Sequence, residues 1–331
     1  MNKLKRRTWQ LWLFWLFIGM LAFCLLRSPA SCGEWIKRGV QTALLKALPS
    51  VFPYLVLSSL FFKSGFPLLF QGRVARLLAR LFYLPPICIS GLVVGLFAGF
   101  PLGASFAASL YTDGYCSKEQ AERLASLSDF CAPPFLLTAF GVGVMGDLRA
   151  GLLLFAVQTV SVFFYGLISG QCVRKREKKV ALMGEEKLFF EERLKLTSYP
   201  STVTLLTMVS AAIGEGALQM VRIGGYILFF SLVSGLALSL CTPLILLFPS
   251  LEGLIAGVFE ISTGVAHMKK RGAEGMFFGA LSLCWSGVSV HLQVASCLGG
   301  AGLSPKKHIV AHLILAPTVA LLSSFLFVLL W

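Results

Sequence analysis

Four apolar stretches of this chain are each long enough to cross a lipid bilayer as a helix. They lie at residues 9–26, 150–170, 224–248 and 309–331. Crossing a hydrocarbon core about 30 Å thick takes roughly 20 apolar residues in a helix. The composition agrees, because 56% of the 331 residues are hydrophobic and 13% are charged, with a mean hydropathy of +0.80. The sequence therefore predicts an all-α polytopic membrane protein rather than a soluble domain.

Five further apolar stretches contain helix-breaking residues. They are 40–62, 87–110, 130–146, 253–268 and 275–298. Inside hydrocarbon, interrupted helices persist only where protein or a water-filled cavity lies beside the unpaired backbone groups. We expect broken helices or re-entrant hairpins here, giving seven to nine crossings or half-crossings in all.

The stretch GFPLGAS at 99–105 has the densest set of breakers. It predicts a tight reversal that exposes backbone groups and a hydroxyl to a bound solute, with close helix packing on glycine as the alternative. The candidate binding residues are Gly99, Pro101, Gly103 and Ser105.

The formal net charge of +14 is best interpreted as a sign of membrane topology, because cytoplasmic loops of membrane proteins are rich in Lys and Arg. The basic start at 2–7, the charged linker at 172–198 and the cluster at 269–271 are predicted to be cytoplasmic, and no nucleic-acid partner is expected. Residues 1–34 are predicted to be a retained anchor, with a cleaved signal peptide as the alternative.

The sequence does not predict an enzyme, a metal site or a cofactor. The chain has nine cysteines, an odd number, and they lie mostly in apolar stretches. No two of them have the CxxC spacing of a metal or redox site. The sequence also lacks a P-loop, a nucleophile elbow and an HExxH motif. His308 and His312 have the spacing of metal ligands on one helical face, but two lysines precede them and no Glu follows His308.

The second half of the chain repeats the order of helix-breaking residues of the first half, at an offset of 187 residues. The Gly- and Ser-rich stretch at 279–307 then aligns with the stretch around 99–105. Two repeats are predicted at 35–171 and 199–331, with chance similarity among apolar residues as the alternative. Paired broken segments in a duplicated chain indicate a secondary-transporter site near the bilayer midplane.

Two cations occupy matching places in these repeats. Lys46 and Arg222 lie within apolar sequence, where a central cation costs about 2.5–3.5 kcal/mol. They are predicted to bind an anionic solute, or else to extend their charges to the membrane surface.

Polar residues in the later broken stretches complete the predicted site. Glu260, followed by Ser262, Thr263 and Gly264, is suited to a coupling H⁺ or Na⁺, with an interfacial carboxylate as the alternative. His291 is predicted to bind substrate or carry a coupling proton, or else to pack in the core. The neighbouring candidates are Ser286, Gly287, Ser289 and Gln293.

A polar segment follows the first broken stretch. Ser117 and Gln120 predict a capping box at the start of an amphipathic helix that continues through Ser126, and this helix is expected at the membrane surface. Asp129 follows it, and is predicted to line the cavity or to cap the next helix.

Five motifs together resemble the YlbJ-type sporulation integral membrane proteins of endospore-forming Firmicutes. They are GFPLGAS at 99–105, SKEQAERL at 117–124, GVGVMGD at 141–147, FEISTG at 259–264 and GVSVHLQV at 287–294. The resemblance implies two nucleoside-recognition Gate domains, which are similar to halves of concentrative nucleoside transporters. The chain departs from the family pattern Asn-Asn-Ser-Gly-Pro, having Asp-Phe-Cys-Ala-Pro at 129–133.

The resemblance also implies a function. We expect a secondary transporter that moves a small organic anion, dipicolinate, across the outer forespore membrane, coupled to H⁺ or Na⁺. Alternatives are a nucleoside cargo, or a non-transporting scaffold that recruits cortex or coat enzymes through the charged linker. The expected partners are the solute, the lipid bilayer, and further copies of the chain or other sporulation membrane proteins.

Overall fold

The computed structural model describes residues 2–65, 72–182, 205–268 and 272–331, and every regular element in these ranges is helical. The first half contains α1 (Asn2–Arg27), α2 (Pro29–Gln41), a π-helical turn (Thr42–Ala47), α3 (Leu48–Lys63), α4 (Arg73–Phe82), α5 (Cys88–Ala98), α6 (Leu102–Thr112), α7 (Lys118–Ser128), a π-helical segment (Phe135–Met145) and α8 (Leu148–Leu182). The second half contains α9 (Leu205–Leu240), α10 (Thr242–Leu247), α11 (Leu251–Phe259), α12 (Ile261–His267), α13 (Gly272–Trp285), α14 (Gly287–Gly300) and α15 (Lys306–Leu330). The predicted all-helical fold is confirmed for these residues, whereas the cluster at 269–271 and most of the charged linker lie outside them.

Several helices are long and apolar enough to span a bilayer. Within the described ranges they are Leu148–Arg176, Leu205–Leu240, Gly272–Gly300 and Lys306–Leu330. α1 and α2 provide a further span if they count as one, although the chain bends by 107° between them. The chain is therefore an integral membrane protein that combines long helices with shorter or interrupted ones.

The predicted span at 224–248 is wrong in its boundaries. Helix α9 begins at Leu205 and continues through Gly224 and Gly225 to Leu240. Its inward face is buried against α2 and α3, and such packing stabilises a helix more than local propensity does. Arg222 therefore lies in the middle of a continuous helix and does not open a broken one.

The predicted break at 40–62 is a change of helix type. The chain remains helical from α2 to α3, with the π-helical turn between them and Pro53 inside α3. π-Helical turns are rare and often occur at functional sites. Lys46 belongs to this turn, but its side chain lies outside the described residues.

Helices α13 and α14 form an interrupted span, so of the two forms predicted for 275–298 the broken helix is confirmed and the re-entrant hairpin is wrong. Together they make one stretch of 29 residues. Ser286 and Gly287 have positive φ values of 71° and 79°, yet the Ser286 amide still donates to the Ser282 carbonyl at 3.0 Å. Because that helical hydrogen bond persists, the break does not reverse the chain.

Helix α7 lies inside the protein, contrary to the membrane-surface position predicted for it. The capping box of Ser117 and Gln120 is confirmed, but every residue from Ala121 to Ser128 is buried. Arg123 is accommodated because its guanidinium donates to the Phe82 carbonyl at 2.6 Å. Small side chains and satisfied charges thus let this helix pack against α5, α6 and α15.

Two large buried clusters fill the interior. One joins α5, α6, α7 and α14 around Leu110, Leu124 and Val294. The other joins the π-helical segment, α8, α13 and α15 around Phe140, Leu154 and Leu283. The interrupted helices lie where these two clusters meet.

Candidate functional site

The first helix break lies between α5 and α6. Gly99 has a φ of +67°, which favours glycine, and Pro101 directly precedes α6. A Cβ atom on Gly103 would collide with the Ser128 backbone, so α6 crosses the end of α7 closely. The Phe100 amide donates to the Phe130 carbonyl at 3.2 Å. This break therefore packs directly on the irregular segment after α7.

The second break forms a re-entrant hairpin, which is one of the two forms predicted for 253–268. Helices α11 and α12 reverse at Glu260 and pack so closely that a Cβ on Gly264 would collide with Gly257. Glu260 is 1% exposed, so its carboxylate is covered by protein. Its carboxylate accepts the Ser262 amide at 3.0 Å and the Thr263 amide at 2.6 Å. It thus caps α12, and its role with a coupling ion remains a prediction.

The third break, at Ser286 and Gly287, lies against the second. A Cβ on Gly287 would lie 3.1 Å from the carbonyl oxygens of Gly257 and Phe259. Beside it, the Trp285 indole donates to the Val258 carbonyl at 3.1 Å. The last turn of α11 is therefore held against the α13–α14 interruption.

Asp129 joins the first and third breaks. It is fully buried, and its Oδ1 accepts the Ala104 amide of α6 at 3.4 Å. Its backbone carbonyl lies 3.0 Å from Nε2 of His312. The other ring nitrogen, Nδ1, lies 2.6 Å from the Cys284 carbonyl in the last turn of α13. His312, on α15, thus connects the segment after α7 with the end of α13.

Two more histidines extend this cluster. His291 Nδ1 lies 3.0 Å from His308 Nε2, and His308 Nδ1 lies 3.7 Å from Asp129 Oδ2. The buried atoms His291 Nε2, His308 Nδ1 and Asp129 Oδ2 make no hydrogen bond. We call His291, His308, His312 and Asp129 the histidine cluster. Within the described ranges, no group of residues has the arrangement of a metal site.

The remaining predicted residues lie around these breaks. The Gln293 amide donates to the Ser289 hydroxyl at 3.3 Å, and both side chains are buried. Ser105 on α6 lies near Cys297 of α14, and Arg222 interacts electrostatically with the same cysteine. The structure therefore brings the predicted residues of both repeats together, with Arg222 on the α9 side.

A mainly apolar cavity of about 360 Å³, with several polar side chains in its lining, opens beside the α11–α12 hairpin. Its lining includes Arg38 of α2, Ser231 of α9, Thr263 and His267 of α12, and Glu252 of α11. His267 Nδ1 lies 2.9 Å from Glu252 Oε1. Thr263 is among the residues predicted from the sequence, and Arg38 is not. Arg38 shares the amphipathic helix α2 with two other charged residues and belongs to no motif.

The comparisons with known proteins agree with the resemblance in the motifs. The "Sporulation integral membrane protein YlbJ" of Bacillus subtilis (strain 168) is 25% identical over 345 residues, covering 95% of this chain and 81% of its own length. The chain is therefore similar to a YlbJ-type sporulation membrane protein over nearly its whole length. No family model matches it, and no solved structure matches it.

This YlbJ-type relationship covers both predicted repeats, since the alignment includes nearly the whole chain. It supports a membrane role in sporulation. The two helix breaks at Gly99 and Ser286 keep the offset seen between the halves of the sequence. The Gate-domain assignment and the likeness to nucleoside transporters remain predictions.

Proposed function

We propose that this protein is a secondary transporter that moves a small organic anion, dipicolinate, across the outer forespore membrane during sporulation. The observation that carries the proposal is the cavity that contains Arg38, which borders a re-entrant hairpin in an apolar membrane protein. The sporulation relative supports the biological setting.

The cavity has the size and chemistry for a planar dicarboxylate. Its volume of about 360 Å³ falls within the range of roughly 300–1,000 Å³ that is usual for small-molecule sites. A guanidinium can bind a carboxylate through two parallel hydrogen bonds. Ser231 of α9 and Thr263 of α12 add two hydroxyl groups, 3.4 Å apart. These groups would replace part of the hydration that the anion loses.

Movement of the two repeats against each other would expose the site to each side of the membrane in turn. The interrupted helices give this movement a structural basis, because unwound backbone at membrane depth is stable only beside protein or water. Arg222 and Lys46 remain the predicted second and third cations for the anion.

The test is solute flux in proteoliposomes that contain the purified protein, with labelled dipicolinate and uridine measured in parallel. We expect dipicolinate uptake well above that of empty liposomes, and little uridine uptake. Arg38→Gln should raise the half-saturating dipicolinate concentration roughly tenfold, the effect of losing about 1.4 kcal/mol of a charged hydrogen bond. Arg27→Gln, which removes an exposed guanidinium outside the cavity, is the matched control.

Two outcomes would overturn the proposal. Uridine uptake without dipicolinate uptake would make this a nucleoside carrier. Flux equal to that of empty liposomes for both solutes would remove transport and favour a scaffold.

A further inference from the structure

His312 holds together the two segments between which the other histidines lie. Its Nδ1 lies 2.6 Å from the Cys284 carbonyl oxygen and 3.5 Å from the Ser286 hydroxyl, and its Nε2 lies 3.0 Å from the Asp129 carbonyl oxygen. The side chain is fully buried, so its ring has little freedom to turn. His312 therefore fixes the backbone of Asp129 relative to α13 and α15.

With Asp129 ionised, the protonation of the other two histidines follows from their order. His308 Nδ1 faces the Asp129 carboxylate at 3.7 Å and carries the hydrogen. His308 Nε2 then has a lone pair, which accepts from His291 Nδ1–H at 3.0 Å. This leaves a lone pair on His291 Nε2, a buried atom without a hydrogen-bond partner. That nitrogen is the open acceptor of the chain.

We propose that His291, His308 and Asp129 form a proton relay, held in place by His312, and that the proton is the coupling ion. The word coupling rests on the transport function proposed above. A proton binds to His291 Nε2, and the His291 Nδ1–H bond breaks as that hydrogen bonds to His308 Nε2. The His308 Nδ1–H bond then breaks as its hydrogen bonds to Asp129 Oδ2. One proton has moved to Asp129, and both imidazoles are neutral in their other tautomer.

The relay is interrupted in the described state. The 3.7 Å separation between His308 and Asp129 exceeds the usual 2.7–3.2 Å of an N–H···O hydrogen bond. Asp129 lies between α7 and the π-helical segment and touches the first residues of α6. A movement of the first repeat that shortens this gap would complete the relay, so proton transfer and repeat movement are linked by geometry.

The surrounding ionisable groups leave this assignment intact. Cys297 on α14 interacts electrostatically with Asp129, and Arg222 on α9 interacts with Cys297. The Cys284 thiol of α13 lies 3.6 Å from Gln158 Oε1 on α8. On α7, Glu122 accepts the Ser304 amide and Arg123 donates to the Phe82 carbonyl. These α7 side chains have partners outside the cluster.

The direct test is ¹⁵N NMR spectroscopy of the full chain in lipid nanodiscs with labelled histidine. The chain contains four histidines, and His267 serves as an internal reference outside the cluster. We expect a joint exchange of tautomers in His291 and His308 on acidification. Asp129→Asn should abolish the exchange, whereas Asp113→Asn, at the exposed end of α6, should retain it. Fixed tautomers in the wild type, or tautomer exchange that persists in Asp129→Asn, would overturn the proposal.

Flux measurements separate this inference from the transport proposal. Proteoliposomes with an imposed pH gradient should accumulate dipicolinate, and Asp129→Asn should lose that accumulation while Asp113→Asn keeps it. If the wild type carries dipicolinate but ignores the gradient, the relay is wrong as a coupling device and transport stands. If it carries no dipicolinate, transport fails, and the NMR result alone decides whether the relay exists.

Discussion

Arg222 is a cation whose place within α9 costs free energy of insertion into the membrane. It lies at the middle of a 36-residue apolar helix, where a cation costs about 2.5–3.5 kcal/mol on the insertion scale. Its side chain is exposed from the protein and faces the region of Cys297, close to Ser105. A charge so far from both ends of α9 is explained if it borders a hydrated path, since a long side chain reaches the surface only from near a helix end.

If Arg222 binds the travelling anion, Arg222→Gln should weaken dipicolinate flux at low substrate concentration by roughly tenfold, through the loss of one charge-assisted hydrogen bond. Arg222→Lys should retain part of this flux because it preserves the charge. Reconstituted uptake over a range of dipicolinate concentrations gives the comparison. Equal uptake by the wild type and Arg222→Gln would show that the arginine is not a substrate ligand.

At the scale of single elements, the re-entrant hairpin depends on glycine. Gly264→Ala would place a methyl group against the backbone of Gly257 and 3.0 Å from the Gly253 carbonyl oxygen. Overpacking of this kind costs about 1–3 kcal/mol. We expect a lower midpoint of thermal unfolding in detergent. Gly299→Ala meets nothing within 4 Å and should be neutral or slightly stabilising, so an equal loss in both variants would contradict the tight hairpin.

The sequence predicted helix breaks better than it predicted helix directions. Gly99 and Pro101 marked the first interruption, and the Ser-Thr-Gly run at 262–264 marked the one at Glu260. Such breaks could be predicted because they depend on residues that are close in sequence. Whether a break reverses the chain depends on what packs around it. The α11–α12 hairpin is reversed and the α13–α14 span is not, although both are rich in Gly and Ser.

The histidine cluster also shows that local sequence does not identify contacts between distant segments. The spacing of His308 and His312 correctly placed them near each other on α15, with ring centroids 4.2 Å apart. Their partners, Asp129 and the Cys284 carbonyl, come from distant parts of the chain. A pattern within one helix cannot identify such partners, so the sequence offered these residues only as weak metal ligands.

At the scale of the whole molecule, the two halves are connected through direct contacts in the interior. Lys118 at the start of α7 donates to the Gly302 carbonyl at 2.6 Å, and the Ser304 amide donates to Glu122 at 2.9 Å. His312 joins the segment after α7 to α13. The charged linker therefore need not carry mechanical coupling between the predicted repeats.

This arrangement separates a transporter from a scaffold. Replacing residues 183–198 with a Gly/Ser linker of equal length removes much of the charged segment and preserves its span. A transporter should keep its dipicolinate flux in proteoliposomes, because the cavity and the histidine cluster lie in the described helices. In spores, the same variant should restore dipicolinate content to a strain that lacks the protein. Normal flux in vitro with failed sporulation would place a recruiting function in the linker, whereas loss of both would show that the halves communicate through it.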